Sequence, residues 1–313
     1  MTPVDFTSLA KKNKAYAGAN GSKISVIYEG KQYMLKFPPV PTKNKDMSYS
    51  NSCFSEYLGC QIYKSVGIPV QETMLGTYDV HGKEKIVVAC GDFTSPGVVL
   101  QDFASLKNQM IDSSRNGYGT ELADILETFS EQTAVDHVAL TERFWDMFVV
   151  DALIGNWDRH NGNWGFLYDT HNDTMELAPV FDCGSSLYPQ ADAQIMGSVL
   201  SDQKELDYRI YEMPTSAITI GEKRIKYYDF LCSLENMDCN RALERIVPRL
   251  NMEKINEIVE NTPFITELQK SFYLTMLRER KERILDLSFE LLQAKELDKT
   301  VRRSHKKNDR SER

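Results

Sequence analysis

Residues 155–165 read "GNWDRHNGNWG". An Asp, an Arg and a His stand here among asparagines and glycines, directly behind a long apolar run. Before it, Phe144, Met147, Phe148, Val150, Leu153 and Ile154 recur at helical spacing, which predicts a helix packed into a core. The loop then hangs from a buried support. After it, Trp164–Tyr168 and Met175–Val180 read as two short strands joined by the turn-rich "DTHNDT". Such a hairpin would carry Asp182 back towards Asp158.

Asn-Gly and Asn-Trp-Asp are also ordinary turn chemistry, whose side chains often bond only the local backbone. Spacing argues for more. Asp158 precedes Asn163 by five positions, and Asp182-Cys183-Gly184 follows the hairpin. In phosphoryl transfer of the protein-kinase type, an Asp orients the acceptor hydroxyl, an Asn five positions later holds magnesium, and an Asp-x-Gly turn supplies a second metal carboxylate. The chemistry asks for these residue types because the protein mainly positions ATP and metal. A carboxylate can take the hydroxyl proton late, and amide and carboxylate oxygens suit a hard cation. On this reading Asp158, Asn163, Asp182 and Lys36 are catalytic, with Asn163 and Asp182 as metal ligands. Asn156 and Asn161 would shape the turn that aims Asp158. His160 is expected mainly to anchor the loop by bonding a buried carbonyl, and Ser185 and Ser186 read as turn residues.

Upstream, "YAGANGSKISVIYEGKQYMLKFP" reads as a Gly-rich turn, a strand at Ile24–Tyr28, a Glu-Gly hairpin and a strand at Gln32–Phe37. Gly18, Ala19, Asn20, Gly21, Ser22 and Lys23 would cradle phosphate, since backbone N–H groups approach oxygen closely where there is no Cβ. Lys36 ends the second strand. The segment "SYSNSCFSEYLGCQIYKSVG" reads as a helix stopped at Gly67, with Glu56 placed to pair with Lys36 and hold it on the phosphates. "QETMLGTYDV" and "EKIVVACGDF" add strands. Five strands and one helix then form a small lobe, and Ala89, Gly91 and Asp92 form a hinge whose backbone meets adenine.

The set "GANGSK", "MLKF", "FSEY", "VVACGDF", "GNWDRHNGNWGF" and "FDCGSSLYPQAD" resembles the HipA-like serine/threonine kinases of bacteria. The likeness runs from about Gly18 to Asn261. It implies an α+β, two-lobed protein-kinase-like fold with a small β-rich N-lobe and a larger, mainly helical C-lobe. It also implies an ATP-dependent protein kinase that uses magnesium, with manganese as the alternative ion, autophosphorylates and acts on protein substrates. A small antitoxin protein is the partner the resemblance suggests. Two departures stand out. HipA proper carries an extra N-terminal domain, whereas this chain starts almost at the phosphate loop, and the positions matching the HipA regulatory serine are Ala15 and Tyr16.

Composition agrees with two lobes around one cleft: 313 residues are 42% hydrophobic. The expected division is 1–92 for the N-lobe, 93–294 for the C-lobe and 295–313 for a basic, disordered tail. A formal net charge of -8 argues against nucleic-acid binding by the chain itself. The six cysteines form no C-x-x-C pair, which predicts reduced thiols and a cytoplasmic protein. No run reaches the roughly 18 apolar residues of a membrane span, and no signal peptide is visible; export by a specialised route would leave no such trace. Past Gly184 the pattern is helical, notably at 227–234, 239–250, 252–260 and 266–292. A small-molecule or lipid kinase could share the same loop. A metal-dependent phosphoesterase would call for more histidines, and a non-catalytic scaffold would not need all the polar parts together.

Overall fold

The computed structural model describes residues 3–16, 22–39, 50–110 and 116–298. Its N-terminal part is a six-stranded sheet in the order β1-β5-β6-β4-β3-β2. Strands β3 (Lys23–Tyr28) and β4 (Lys31–Lys36) form a hairpin closed at Glu29–Gly30, both with positive φ. That turn twists the way its strands do. β5 (Thr73–Val80) and β6 (Lys83–Gly91) make the second hairpin, and β6 lies centrally between β5 and β4. The short β1 (Val4–Asp5) and β2 (Lys11–Lys12) flank these four. Two-residue strands carry no readable alternation, so the expected five strands become six.

Helix α1 (Ser52–Ser65) packs on this sheet through Cys53 and Phe54, which cluster with Leu75, Val88 and Cys90. Its other face, with Leu58, Cys60, Ile62 and Tyr63, belongs to the large core of the helical part. One helix thus bridges both bodies, so the break expected after residue 92 is a break in the chain path and not in the packing.

Strand β7 (Val98–Asp102) leads into α2 (Phe103–Met110) and α3 (Leu122–Glu131). Helix α4 (His137–Ile154) is the central support: its residues from Met147 to Ile154 are all buried, and Trp145 is fully enclosed. Each large apolar side chain buried there contributes about 1.5–3 kcal/mol, which anchors the loop that follows. Asp136 caps the start by accepting from Ala139 N–H. Gly155 ends the helix in the left-handed conformation, with φ 62° and its N–H on Asp151 C=O; only glycine adopts this at little cost. The chain then enters β8 (Gly165–Asp169) and β9 (Thr174–Leu177), which with β7 make a three-stranded sheet.

The rest is helical, as the apolar spacing predicts, apart from the small hairpin of β10 (Thr219–Ile220) and β11 (Lys223–Arg224). The last helix runs on through residues 287–298. Residues 295–298, placed in the tail from the sequence, continue this helix, and Lys295 donates to Leu234 C=O at 3.0 Å. Positions 299–313 lie outside the described residues.

Candidate active site

A cleft of about 870 Å³ separates the six-stranded sheet from the helical part. Lys36, at the end of β4, reaches across it. Its Nζ donates to Glu56 Oε2 at 2.7 Å and to Asp182 Oδ1 at 3.0 Å. Burial alone would lower the Lys36 pKa, but the Asp182 and Glu56 carboxylates hold it well above the usual lysine range. Glu56 is 1% exposed, and its second oxygen accepts from Cys183 N–H at 3.1 Å. It therefore ties α1 to both the lysine and the Asp-x-Gly turn. A Cβ at Gly184 would stand 3.1 Å from Glu56 Oε2, a close approach that the carboxylate could meet only by giving a few tenths of an ångström.

Asp182 sits at φ 57°, in the left-handed region that Asp tolerates better than most residues. The cleft walls work against the charge of this partly exposed carboxylate, yet Lys36 holds it below the usual range. Asp158 is shifted the other way: burial raises its pKa, opposed by His160 and reinforced by the Asp182 charge. Two carboxylates in one cleft are thus shifted in opposite directions, Asp182 towards its charged form and Asp158 towards its protonated form.

The loop between them is held by its asparagines. Asn156 Oδ1 accepts from Asp158 N–H at 3.1 Å and its amide donates to Asp151 Oδ1 at 3.1 Å. Asn163 Nδ2 donates to Asp158 C=O at 2.8 Å. With its nitrogen committed, the Asn163 oxygen is the end left to ligate. Asn161 works at longer range than the sequence suggests. It is fully buried, and its amide donates to Gly117 C=O and Gly119 C=O, each at 2.8 Å. Asn161→Ala leaves the buried Gly117 C=O without its donor, while Gly119 C=O keeps Lys107 Nζ at 2.7 Å, so it is expected to cost on the order of 1–3 kcal/mol, read as a lower denaturant midpoint with the ATP affinity of the folded fraction unchanged. His160 Nδ1 accepts from Gly162 N–H at 3.0 Å, so it anchors the loop through a backbone N–H and not through the expected carbonyl.

Arg159 is the residue whose role the sequence reading missed. Its guanidinium bonds Asp151 Oδ2 at 2.9 Å, Asn163 C=O at 2.8 Å and also Phe181 C=O. Tyr63 OH donates to the same Asp151 at 2.8 Å. The buried pair locks α4, α1, the loop at 155–165 and the Asp-x-Gly turn together. The signal was present as an Arg beside Asp158 and an Asp inside an apolar helix.

The hinge differs from expectation. Ala89 is fully buried among Phe6, Leu35 and Val87 on the far side of the sheet, and it pairs with Leu35 and Met74 on its two flanks. It does not reach the cleft. Gly91 N–H donates to Glu72 C=O, and Asp92 N–H to Gln32 C=O. The Asp92 carboxylate borders the cleft but accepts from Lys14 at 2.6 Å, from Tyr16 OH at 2.8 Å and from Thr94 N–H at 3.0 Å. It straps Lys14 and Tyr16 to the end of β6. The Gly91 C=O also has a partner, accepting from Gln71 Nε2 at 2.9 Å, so both backbone groups of Gly91 and the N–H of Asp92 are engaged within the protein. Phe93 and Thr94 follow in the cleft wall. Lys23 lines the cleft opposite Lys36, its pKa lowered by burial and then by the Lys36 charge. Ser22 C=O accepts from Phe37 N–H at 3.1 Å. Gly18, Ala19, Asn20 and Gly21 lie outside the described residues.

Comparison with known proteins fits this geometry. The family model described as the HipA-like C-terminal domain matches residues 13–262. A relative named serine/threonine-protein kinase CtkA, from Helicobacter pylori strain J99, is 50% identical over 290 residues, 92% of this chain and 88% of its own. The crystal structure of a Helicobacter pylori proinflammatory kinase CtkA superposes with a TM-score of 0.89 at 49% identity, covering 94% of this chain and 98% of that one. HipA of Shewanella oneidensis MR-1, solved with HipB and operator DNA, gives 0.55 at 18% identity over 90% of this chain and 68% of that one, a likeness of fold. With a family model spanning most of the chain and a relative at half identity along nearly all of it, this protein belongs to the HipA-like C-terminal domain family.

Proposed function

We propose that the chain is an ATP-dependent serine/threonine protein kinase that labels itself and other proteins. The observation that carries this reading is the meeting of Lys36, Glu56 and Asp182 within 3.0 Å of one ammonium, in the cleft that also holds Asp158 and Asn163. The relative's name, serine/threonine-protein kinase, favours a protein acceptor over a lipid or small molecule. Residues 1–92 would serve as the nucleotide-holding lobe and 93–294 as the catalytic lobe, a division supported by the end of β6 at Gly91.

In this reading Asp158 receives the proton of the acceptor hydroxyl, and its raised pKa suits that task. Lys36 lies against the nucleotide's phosphates, with Glu56 fixing its position. The donor set fits magnesium or manganese: Asn163 has an oxygen to give, and Asp182 presents a carboxylate that is 42% exposed. Among the described residues no three His, Cys, Asp or Glu side chains cluster as a metal cage; magnesium at kinase sites typically rests on one or two protein oxygens and the phosphates. When bound, the ion would neutralise charge on those phosphates. The six free cysteines suit a reducing compartment such as the cytoplasm. Among the described residues no helix is long and apolar enough to cross a membrane. A small antitoxin is the partner proposed from the HipA structure solved with HipB.

The test is incubation of the pure chain with γ-labelled ATP and magnesium, followed by mass spectrometry for phosphoserine and phosphothreonine. No label on any protein would overturn the reading. Within it, Lys36→Ala is expected to lower transfer on the order of 10²-fold, the usual worth of one preorganised cationic or hydrogen-bond donor. Glu56→Ala should lose less, since Asp182 still holds the ammonium. Initial rates compare the two, and rates equal to the natural chain in both would move the phosphate contact to Lys23.

A further inference from the structure

Strand β7 pairs with β8 on one side only, as the outer strand of its sheet. Its backbone bonding follows from the bonds at its two ends. Thr170 N–H donates to Gly97 C=O, and Phe103 N–H donates to Trp164 C=O. Bonded and unbonded pairs alternate along an antiparallel ladder. With Val99 opposite Tyr168 and Gln101 opposite Phe166, residues 97, 99, 101 and 103 turn their backbone groups towards β8. Val98, Leu100 and Asp102 turn theirs outward. Val98 uses both on Ser95. Leu100 N–H and C=O lie on the open edge, with no partner among the described residues.

That edge faces the catalytic cleft. Val98, Val99 and Leu100 all line it. Successive side chains of a strand point to opposite faces, so three in a row border one cavity only where the strand presents its edge. Tyr118 stands on the same wall, its ring 6.4 Å from that of His160 and its hydroxyl donating to Asp102 at 3.3 Å. Val99, Leu100 and Tyr118 are 45%, 39% and 53% exposed. Single exposed apolar residues need no explanation, but three beside an unpaired edge in a catalytic cleft mark a binding surface.

We propose that β7 is the docking edge for the acceptor: an extended polypeptide carrying the serine or threonine joins β7 as an added strand. It exchanges backbone bonds with Leu100 and lays aliphatic or aromatic side chains on Val99, Leu100 and Tyr118. The proposal rests on the protein-kinase reading above and names its substrate class, an unfolded segment with apolar residues flanking the acceptor. The strand lines the same cleft as Asp158 and His160, and Tyr118 links Asp102 at its end to His160, so docking there would bring the acceptor hydroxyl towards that loop.

The test uses the full chain, γ-labelled ATP, magnesium and a positional-scanning library of serine- and threonine-centred decapeptides. The natural chain should select Val, Ile, Leu or Phe beside the acceptor. Leu100→Pro removes the outward N–H while leaving the bonds to β8 in place, a change that edge strands tolerate. It should raise KM for the best peptide by about tenfold, the worth of one hydrogen bond, with KM for ATP within about twofold. Leu100→Ala, which keeps the N–H, should do less. Val99→Lys leaves the backbone unchanged and should shift selection from apolar to acidic residues, so it decides the matter if the proline variant fails to fold. No apolar selection, or a peptide KM unmoved by Leu100→Pro and Val99→Lys, would overturn the proposal. Label on the chain itself but on no peptide overturns docking and leaves the kinase reading standing; label on neither removes both.

Discussion

Asp158→Asn should transfer phosphate roughly 10² to 10⁴ times more slowly than the natural chain, with ATP affinity changed by no more than a few-fold. The substitution keeps size and shape and removes only the ability to take a proton. The asparagine inherits the loop geometry, because the bonds that hold this position are made by the Asp158 backbone: its N–H on Asn156 Oδ1 and its C=O under Asn163 Nδ2. Affinity should survive because the cationic contact proposed for ATP is Lys36, which is held by Glu56 and Asp182. Titration of ATP binding beside initial rates checks both halves. Normal transfer by the variant, or equal loss of binding and transfer, would remove Asp158 from the role of base and the loop from the role of catalytic loop.

Asp182→Asn should abolish transfer at every magnesium concentration while the protein stays folded. Its carboxylate is the charged oxygen donor proposed for metal, and an amide in its place offers a neutral oxygen to a hard cation. The fold should tolerate the change because the side chain is 42% exposed, while the tie between α1 and the Asp-x-Gly turn runs through Glu56 and the Cys183 backbone. Lys36 keeps Glu56 as a partner. Circular dichroism should show the natural spectrum, and a rate assay across a magnesium series should show no rescue. Substantial activity of this variant in EDTA would sink the metal assignment.

The chemistry of the loop was legible because it is local. Asp158, Asn156 and Asn163 meet within one turn, and their bonds depend on spacing that the chain states directly. The hairpin of β8 and β9 that returns Asp182 is short enough to read from alternation and turn residues. The pairing of Lys36 with Glu56 was legible for another reason: a strand end and a helix middle joined by one connection have few ways to meet.

Amino-acid order alone thus determined two bodies, a polar loop hung from a buried helix, and the Asp, Asn and Lys side chains that meet in the cleft. Tertiary structure decided how they are held. Arg159 chooses Asp151 and the carbonyls of Asn163 and Phe181, and Asn161 chooses the carbonyls of Gly117 and Gly119. Asp151 and Asn163 are near Arg159 in the chain, but the carbonyls of Phe181, Gly117 and Gly119 lie 22 to 44 residues from their donors, and none of these contacts leaves a periodic trace, because a buried donor takes whichever carbonyl the packing brings near. The same holds for Ala89, which a one-residue register places in the core, and for β7, whose edge opens on the cleft only because β8 occupies its other side.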